Sequence, residues 1–159
     1  MLKGRDIVLR PLQNSDFDFL KRIENNTDNW QFGSEKKEYS DEQLSDYIVN
    51  AKTDIKIAKQ YRFVIDLNRA PIGFIDLFDY TANSAGVGVI IIKDYRNKGF
   101  AKLALHLLSA YAFTTINLFK LHCAIAKDNL ASIKLFISCG FELEKEEKEL
   151  QYFIKLAKK

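Results

Sequence analysis

At 159 residues the chain is long enough for one domain and short for two. A hydrophobic share of 47% beside a charged share of 28% describes an ordinary globular chain able to bury a core, and excludes disordered, collagenous and disulfide-scaffold classes. Lys and Arg number 24 against 21 Asp and Glu, a formal charge of +3 with the signs interleaved, which excludes a clustered basic footprint for nucleic acid or a membrane surface. The 12 Phe and 7 Tyr, set against 7 Gly and 2 Pro, point to an aromatic core with few turn-formers.

The amino terminus lacks a signal-peptide pattern, because Arg10 and Pro11 interrupt its apolar stretch early. No run reaches the roughly 18 apolar residues of a spanning helix. Cys123 and Cys139 have no zinc-type spacing and read as buried free thiols, so a cytoplasmic chain without a metal is expected.

Taken in chain order, Ile7 to Arg10 reads as a short strand stopped by Pro11. Asn14 or Ser15 then caps a helix carrying Phe17, Leu20 and Ile23, and the run from Asn25 to Asn29 breaks it. Ser40 followed by Gln43 fits a capping box, with Leu44, Tyr47, Ile48 and Ala51 at helical spacing over residues 41–53. Tyr61 to Leu67 and Ile72 to Phe78 form a hairpin about a turn at Asn68 to Pro71, and Val87 to Ile92 continues the sheet as an apolar run covered on both faces. Residues 97–117 repeat apolar positions as a long helix, and Leu121 to Ala126 is a strand. Asp128 or Asn129 caps a helix bearing Ile133, Phe136 and Ile137, and Gly140 suits its left-handed terminus. Phe141 to Leu143 and Leu150 to Leu156 are final strands, joined by a solvated tip of acids and lysines. The order predicts a mixed α/β fold over a single domain, 1–159, with about seven strands and about four helices on both faces.

One segment carries readable chemistry. The strand ending Ile90-Ile91-Ile92 runs through Lys93-Asp94-Tyr95-Arg96-Asn97-Lys98-Gly99-Phe100-Ala101 into the long helix. N–H groups in a helix's first turn lack internal partners and sit at the positive end of its dipole, which suits a phosphate. Gly99 permits close approach, Arg96 and Lys98 add charge, and Ala101 keeps the entrance small.

Arg96, Gly99 and Ala101 at this strand-to-helix turn resemble the Arg/Gln-x-x-Gly-x-Gly/Ala motif of the GNAT superfamily of N-acetyltransferases. A second similarity is the Asn129-to-Ser132 helix start leading through Phe136 to Gly140-Phe141. The opening Leu9-Arg10-Pro11-Leu12 looks most like the ribosomal-protein-acetylating and polyamine-acetylating branches. The resemblance implies a sheet splayed between its fourth and fifth predicted strands, with acetyl-CoA as cosubstrate and no metal. Its pantothenate arm would pair with Ile90, Ile91 and Ile92. Its pyrophosphate would rest on the N–H groups of Arg96, Asn97, Lys98, Gly99, Phe100 and Ala101, with Asn129 and Ser132 on the far side.

Two family positions differ here. Phe136 stands where many members carry a tyrosine that protonates the departing thiolate, and Gly86 aligns with a glutamate of the strand before the motif. The replacements to weigh are Asp76, Asp79, Tyr152 and Ser132, of which Asp76 and Tyr152 are the catalytic candidates. Asp76 lies in an apolar run where a carboxylate needs a partner or a wet cleft, so a structural pairing competes with a catalytic role. Tyr152 competes with plain packing, His106 and His122 read as surface residues, and Trp30 with Phe32 either lines an acceptor pocket or packs. Acids at 35, 38, 41, 42 and 76 would favour a cationic acceptor.

The implied activity is transfer of an acetyl group from acetyl-CoA to a primary amine, by direct attack on the thioester. The acceptor is a protein N-terminus or a small amine; the alternatives are a polyamine, an amino sugar, or a non-catalytic acetyl-CoA-binding module. Neither nucleic acid nor membrane is an expected partner, and a monomer or homodimer is expected.

Overall fold

The computed structural model describes residues 1–26 and 38–158, so Trp30, Phe32 and Glu35 lie outside the described residues. Eight strands form one mixed sheet: β1 (Leu2–Lys3), β2 (Val8–Pro11), β3 (Tyr61–Leu67), β4 (Ala70–Phe78), β5 (Ser84–Ile91), β6 (Lys120–Ala126), β7 (Glu142–Glu147) and β8 (Leu150–Leu156). Their spatial order is β1-β2-β3-β4-β5-β6-β8-β7. The described helices are α1 (Phe17–Glu24), α2 (Asp41–Asn50), α3 (Ile55–Ala58), α4 (Phe100–Thr114) and α5 (Leu130–Ser138).

The mixed α/β class matches the expectation, while both element counts rise by one. The extra strand is β1, only two residues long and held by pairing Leu2 with Leu9 and Lys3 with Val8. The extra helix is α3, a single turn whose N-terminus Asp54 caps by accepting from the Lys56 N–H. Neither is long enough to display a period.

Other boundaries follow from local chemistry. The Ser40–Gln43 capping box forms as anticipated, with both reciprocal hydrogen bonds present. At the first helix the N-cap position falls on Asp16, the end of a short 3-10 turn at Asn14–Asp16 that starts from Gln13, so neither Asn14 nor Ser15 serves. The long helix is shorter than its apolar pattern, because Asn97 (φ 61°) and Gly99 (φ 86°) are left-handed before it and Asn117 (φ 56°) after it. Asn68 (φ 51°) and Arg69 (φ 70°) form a two-residue hairpin turn between Leu67 and Ala70, which leaves Pro71 inside β4. Ile137 is exposed rather than packed.

Two apolar layers cover the sheet. On one face α4 buries Ala104, Leu105, Leu108 and Ala112 against Phe63, Ile65, Ile75 and Leu77, joined by Phe136 of α5 and by Phe141 and Phe153. On the other, Phe19, Leu20 and Ile23 of α1 and Leu44 and Ile48 of α2 pack on Val64 and Phe74. Phe19 meets Phe74 edge-on at 5.2 Å, the geometry favoured by the ring quadrupoles.

A β-bulge decides which face of β4 is which. The turn pairs Leu67 with Ala70 and Asp66 with Pro71, but Ile65 then pairs with Gly73, leaving Ile72 unopposed. Because facing alternates along a strand, the inserted residue moves Phe74 and Asp76 to the α1/α2 side. Gly73 is required there, since a Cβ would lie 2.1 Å from the Ile90 carbonyl oxygen.

Arg10 ties the amino-terminal strand to the sheet. Its Nε donates to Asp66 at 2.7 Å, and both terminal nitrogens donate to Asp16 at 2.8 Å, whose side chain is only 2% exposed. Removing one partner of such a pair leaves the other charged and buried. Arg10→Ala is therefore expected to cost about 3–5 kcal/mol in urea denaturation, and Arg10→Lys, which cannot reproduce the fork, to recover only part of it.

Candidate active site

The site arises where two parallel strands stop pairing. β5 and β6 share only the pairs Ser84 with Lys120, Ala85 with Leu121 and Gly86 with His122. Beyond these, β5 remains with β4 as far as Ile91 and β6 remains with β8 as far as Ala126, so the two halves of the sheet diverge. Backbone groups on the facing edges are left open to a ligand that pairs as a strand does.

Since β5 and β6 are parallel, their carboxyl ends lie at the same end of the sheet. From β5 the chain turns through a 3-10 turn at Lys93–Tyr95 into α4, and from β6 it turns into α5, so two helix N-termini flank the mouth of the gap. Gly99 is the residue before α4; its φ of 86° suits glycine, and a Cβ built there meets nothing within 4 Å. Open space at the first N–H groups of a helix fits a pyrophosphate. Arg96 folds back to donate Nε to the Ile91 carbonyl at 2.7 Å and so clips the turn to the strand end, while the Lys98 ammonium stands 5.8 Å over the Tyr95 ring. Asn129 caps α5 by accepting from the Ser132 N–H at 3.2 Å, which brings these two residues together at the second N-terminus.

On the α1/α2 side the gap widens into a cleft of about 790 Å³. Register places one row of side chains on its floor: Arg62, Asp76 and Gly88 across β3, β4 and β5, with Ala124 and Tyr152 beyond the gap. A second row is Phe78, Gly86 and His122. Tyr152 therefore faces the cleft, where the Lys145 ammonium lies 5.0 Å over its ring.

Asp76 is paired. Arg62 donates Nε to Oδ1 at 2.8 Å and Nη2 to Oδ2 at 2.9 Å, and a third nitrogen reaches Glu24 of α1 at 2.6 Å. The guanidinium also lies 4.6 Å over Phe74 and 5.5 Å over Tyr47. Burial works against its charge, but the carboxylates outweigh it and hold its pKa well above the usual value; burial raises the Tyr47 phenol. Each carboxylate oxygen has a second lone pair, so an incoming ammonium still finds acceptors.

The remaining candidates separate cleanly. Phe136 is 4% exposed and meets Phe141 edge-on at 5.0 Å, so this position belongs to the core. A Cβ at Gly86 would lie 2.4 Å from the Phe78 ring, which explains the bare residue where a glutamate aligned. Asp79 lines the cleft, as do Glu24, Tyr39, Tyr47, Arg62 and His122, none of which periodicity singled out as site residues. Cys123 is buried, which pushes its thiol up to about 12 and keeps it protonated. Among the described residues no cluster of His, Cys, Asp and Glu is arranged to hold a metal, and no helix is long and apolar enough to cross a membrane.

A sheet opened between two helix N-termini, with a cleft behind the opening, suits a ligand that, like a CoA thioester, carries a pyrophosphate and an arm able to pair as a strand does. Residues 6–142 match the acetyltransferase (GNAT) domain family. The chain is 28% identical over 148 residues to the spermidine N(1)-acetyltransferase of Escherichia coli (strain K12), covering 92% of this chain and 78% of that one. The crystal structure of spermidine N-acetyltransferase from Vibrio cholerae in complex with CoA and spermine shares the fold, with TM-score 0.84 and 24% identity over 96% of both chains. The dodecameric structure of that enzyme in an intermediate state gives TM-score 0.78 at 25% identity, covering 96% of this chain and 95% of that one. The protein belongs to the GNAT acetyltransferase family and is an acetyl-CoA-dependent N-acetyltransferase acting on an amine.

Gly99→Glu puts bulk and negative charge at the turn expected to seat the phosphates, in a left-handed backbone (φ 86°) that strains a side chain, and lies away from the residues lining the cleft. It is expected to reduce acetyl-CoA affinity at least a hundredfold by calorimetric titration; unchanged affinity would sink the assignment.

Proposed function

We propose that the acceptor is a small polycationic amine of the spermidine and spermine class. The observation that carries this is the charge of the cleft, where, among the described residues, Glu24, Asp76 and Asp79 set three carboxylates against the Arg62 guanidinium and the Lys145 ammonium over Tyr152. A polyamine offers ammonium groups spaced along a flexible methylene chain. The carboxylates attract its charges, and the Leu20, Leu44 and Tyr47 side of the cleft takes its methylenes. The named activity of the E. coli relative supports the same acceptor class.

In this reading the cofactor residues act as the resemblance implies. The Ile90–Ile92 edge pairs with the pantetheine arm through what remains open there, since the Ile92 N–H is spent on the Ile72 carbonyl and the Ile91 carbonyl already accepts from Arg96; the 96–101 turn seats the pyrophosphate, and Asn129 with Ser132 borders the far side. Asp76, steadied by Arg62, orients the acceptor's ammonium beside the thioester. Tyr152, on the opposite wall, supplies a hydroxyl toward the departing sulfur, the task that Phe136 cannot perform. Holding the amine against the carbonyl supplies much of the rate.

Initial rates of CoA release with spermidine, spermine, a monoamine, glucosamine and a short peptide test the acceptor. The polyamines are expected to lead in kcat/KM by at least tenfold, and a preference for the peptide N-terminus would overturn the proposal. Asp76→Asn is expected to raise the spermidine KM roughly tenfold, the worth of about 1.4 kcal/mol, with acetyl-CoA affinity unchanged.

A further inference from the structure

Gly86, standing where the family resemblance places a glutamate, has no side chain to receive the amine's proton. One group stands beside the gap left at Gly86. Its register partner on β6 is His122, and that pair is the last before the strands separate. His122 is half-buried and lines the cleft with Asp79, Ala124 and Tyr152. The Phe78 ring, which fills the space over Gly86, meets the imidazole edge-on at 6.5 Å. Partners in register share a face, so the imidazole projects on the same side as Asp76, at the apex where the β5 edge opens.

We propose that His122 is the general base of the transfer, receiving the acceptor's proton from across the sheet where a β5 side chain is sterically excluded. The inference rests on the reading that the amine enters this cleft. The acceptor's ammonium loses one proton to the imidazole. The freed nitrogen lone pair attacks the thioester carbonyl carbon, and the C–N bond forms as the C–S bond breaks with its electron pair leaving on sulfur. The nitrogen's second proton goes to that sulfur, by way of solvent or the Tyr152 hydroxyl, and His122 returns its own proton to solvent. The net products are the amide, CoA thiol and one proton.

The surroundings keep the imidazole ready to accept. Burial lowers its pKa, Lys120 on its own strand lowers it further, and Asp79 after β4 and Glu144 on β7 oppose both. Tyr152 of β8, Asp76 of β4 with its partner Arg62 of β3, Glu24 of α1, Tyr47 of α2, and Tyr39 and Tyr61 are the other titratable or charged groups lining its cleft, while β5 presents Gly86, Gly88 and Ile90 on that face. A lowered pKa leaves the ring neutral at pH 7, and activity is lost as pH falls through that pKa because the protonated ring cannot take a proton.

The test uses His122→Gln, His122→Ala and the wild type, with spermidine and saturating acetyl-CoA, alongside calorimetric acetyl-CoA affinity and a thermal melt as controls. In the Gln variant kcat is expected to fall about a hundredfold, with the acid limb of the pH profile displaced and acetyl-CoA affinity retained. Added imidazole is expected to restore at least a tenth of the wild-type rate to the Ala variant, a rescue that a packing role would not produce. A Gln variant within threefold of wild type and keeping the acid limb overturns the proposal, as does an Ala variant that binds acetyl-CoA normally but ignores imidazole. A wild type inactive on every amine would instead refute the acceptor reading, which separates the two failures.

Discussion

The short pairing between β5 and β6 is the constraint on which the site depends. Three residue pairs suffice to keep the sheet continuous, yet each strand is then held by a different neighbour, β4 on one side and β8 on the other. Were the pairing to continue, the edge groups of β5 would be consumed within the protein, and a thioester arm would find nothing to bond. Both helices that open the phosphate end start from the ends of these diverging strands. The proposed cofactor seat and acceptor cleft are consequently two ends of one gap, an arrangement that would bring thioester and amine together.

A second constraint governs charge. Arg62 holds Glu24 and Asp76 within one network beneath the aromatic faces of Phe74 and Tyr47. Two acids this close repel, and the guanidinium between them offsets that repulsion while leaving an overall negative balance. The cost of placing charge beside apolar surface is offset by the bidentate geometry, which lysine would not supply. The network also joins α1 to the sheet, so the position of that helix and the orientation of Asp76 in the cleft depend on the same guanidinium.

Much of this was legible in the residues. The Ser40–Gln43 box, the left-handed Gly140 (φ 92°) and the apolar stripe of α4 are local signals, and each maps to its element because neighbouring residues alone determine it. The strand-to-helix turn about Gly99 is local as well, and with it came the family resemblance. The Arg62–Asp76 pair was hidden by the bulge. Counting back from a two-residue turn at Asn68 and Arg69 sets Arg62 opposite Ile75, and only the unopposed Ile72 moves the register on to Asp76. His122 reads as a surface residue in the sequence because its place beside Gly86 depends on a parallel partner 36 positions away, with α4 and a turn between them. Glu24 belongs to an element whose docking no periodicity specifies.

The Phe78 ring lying over Gly86 makes two positions on neighbouring strands one packing unit. A side chain at 86 must displace the ring, and removing the ring alone uncovers an apolar hollow beside the imidazole. The effects of changing both cannot be additive, since the atoms compete for the same space. A group gained on β5 at this point is therefore a ring moved on β4, and the surroundings of His122 on β6 change with either.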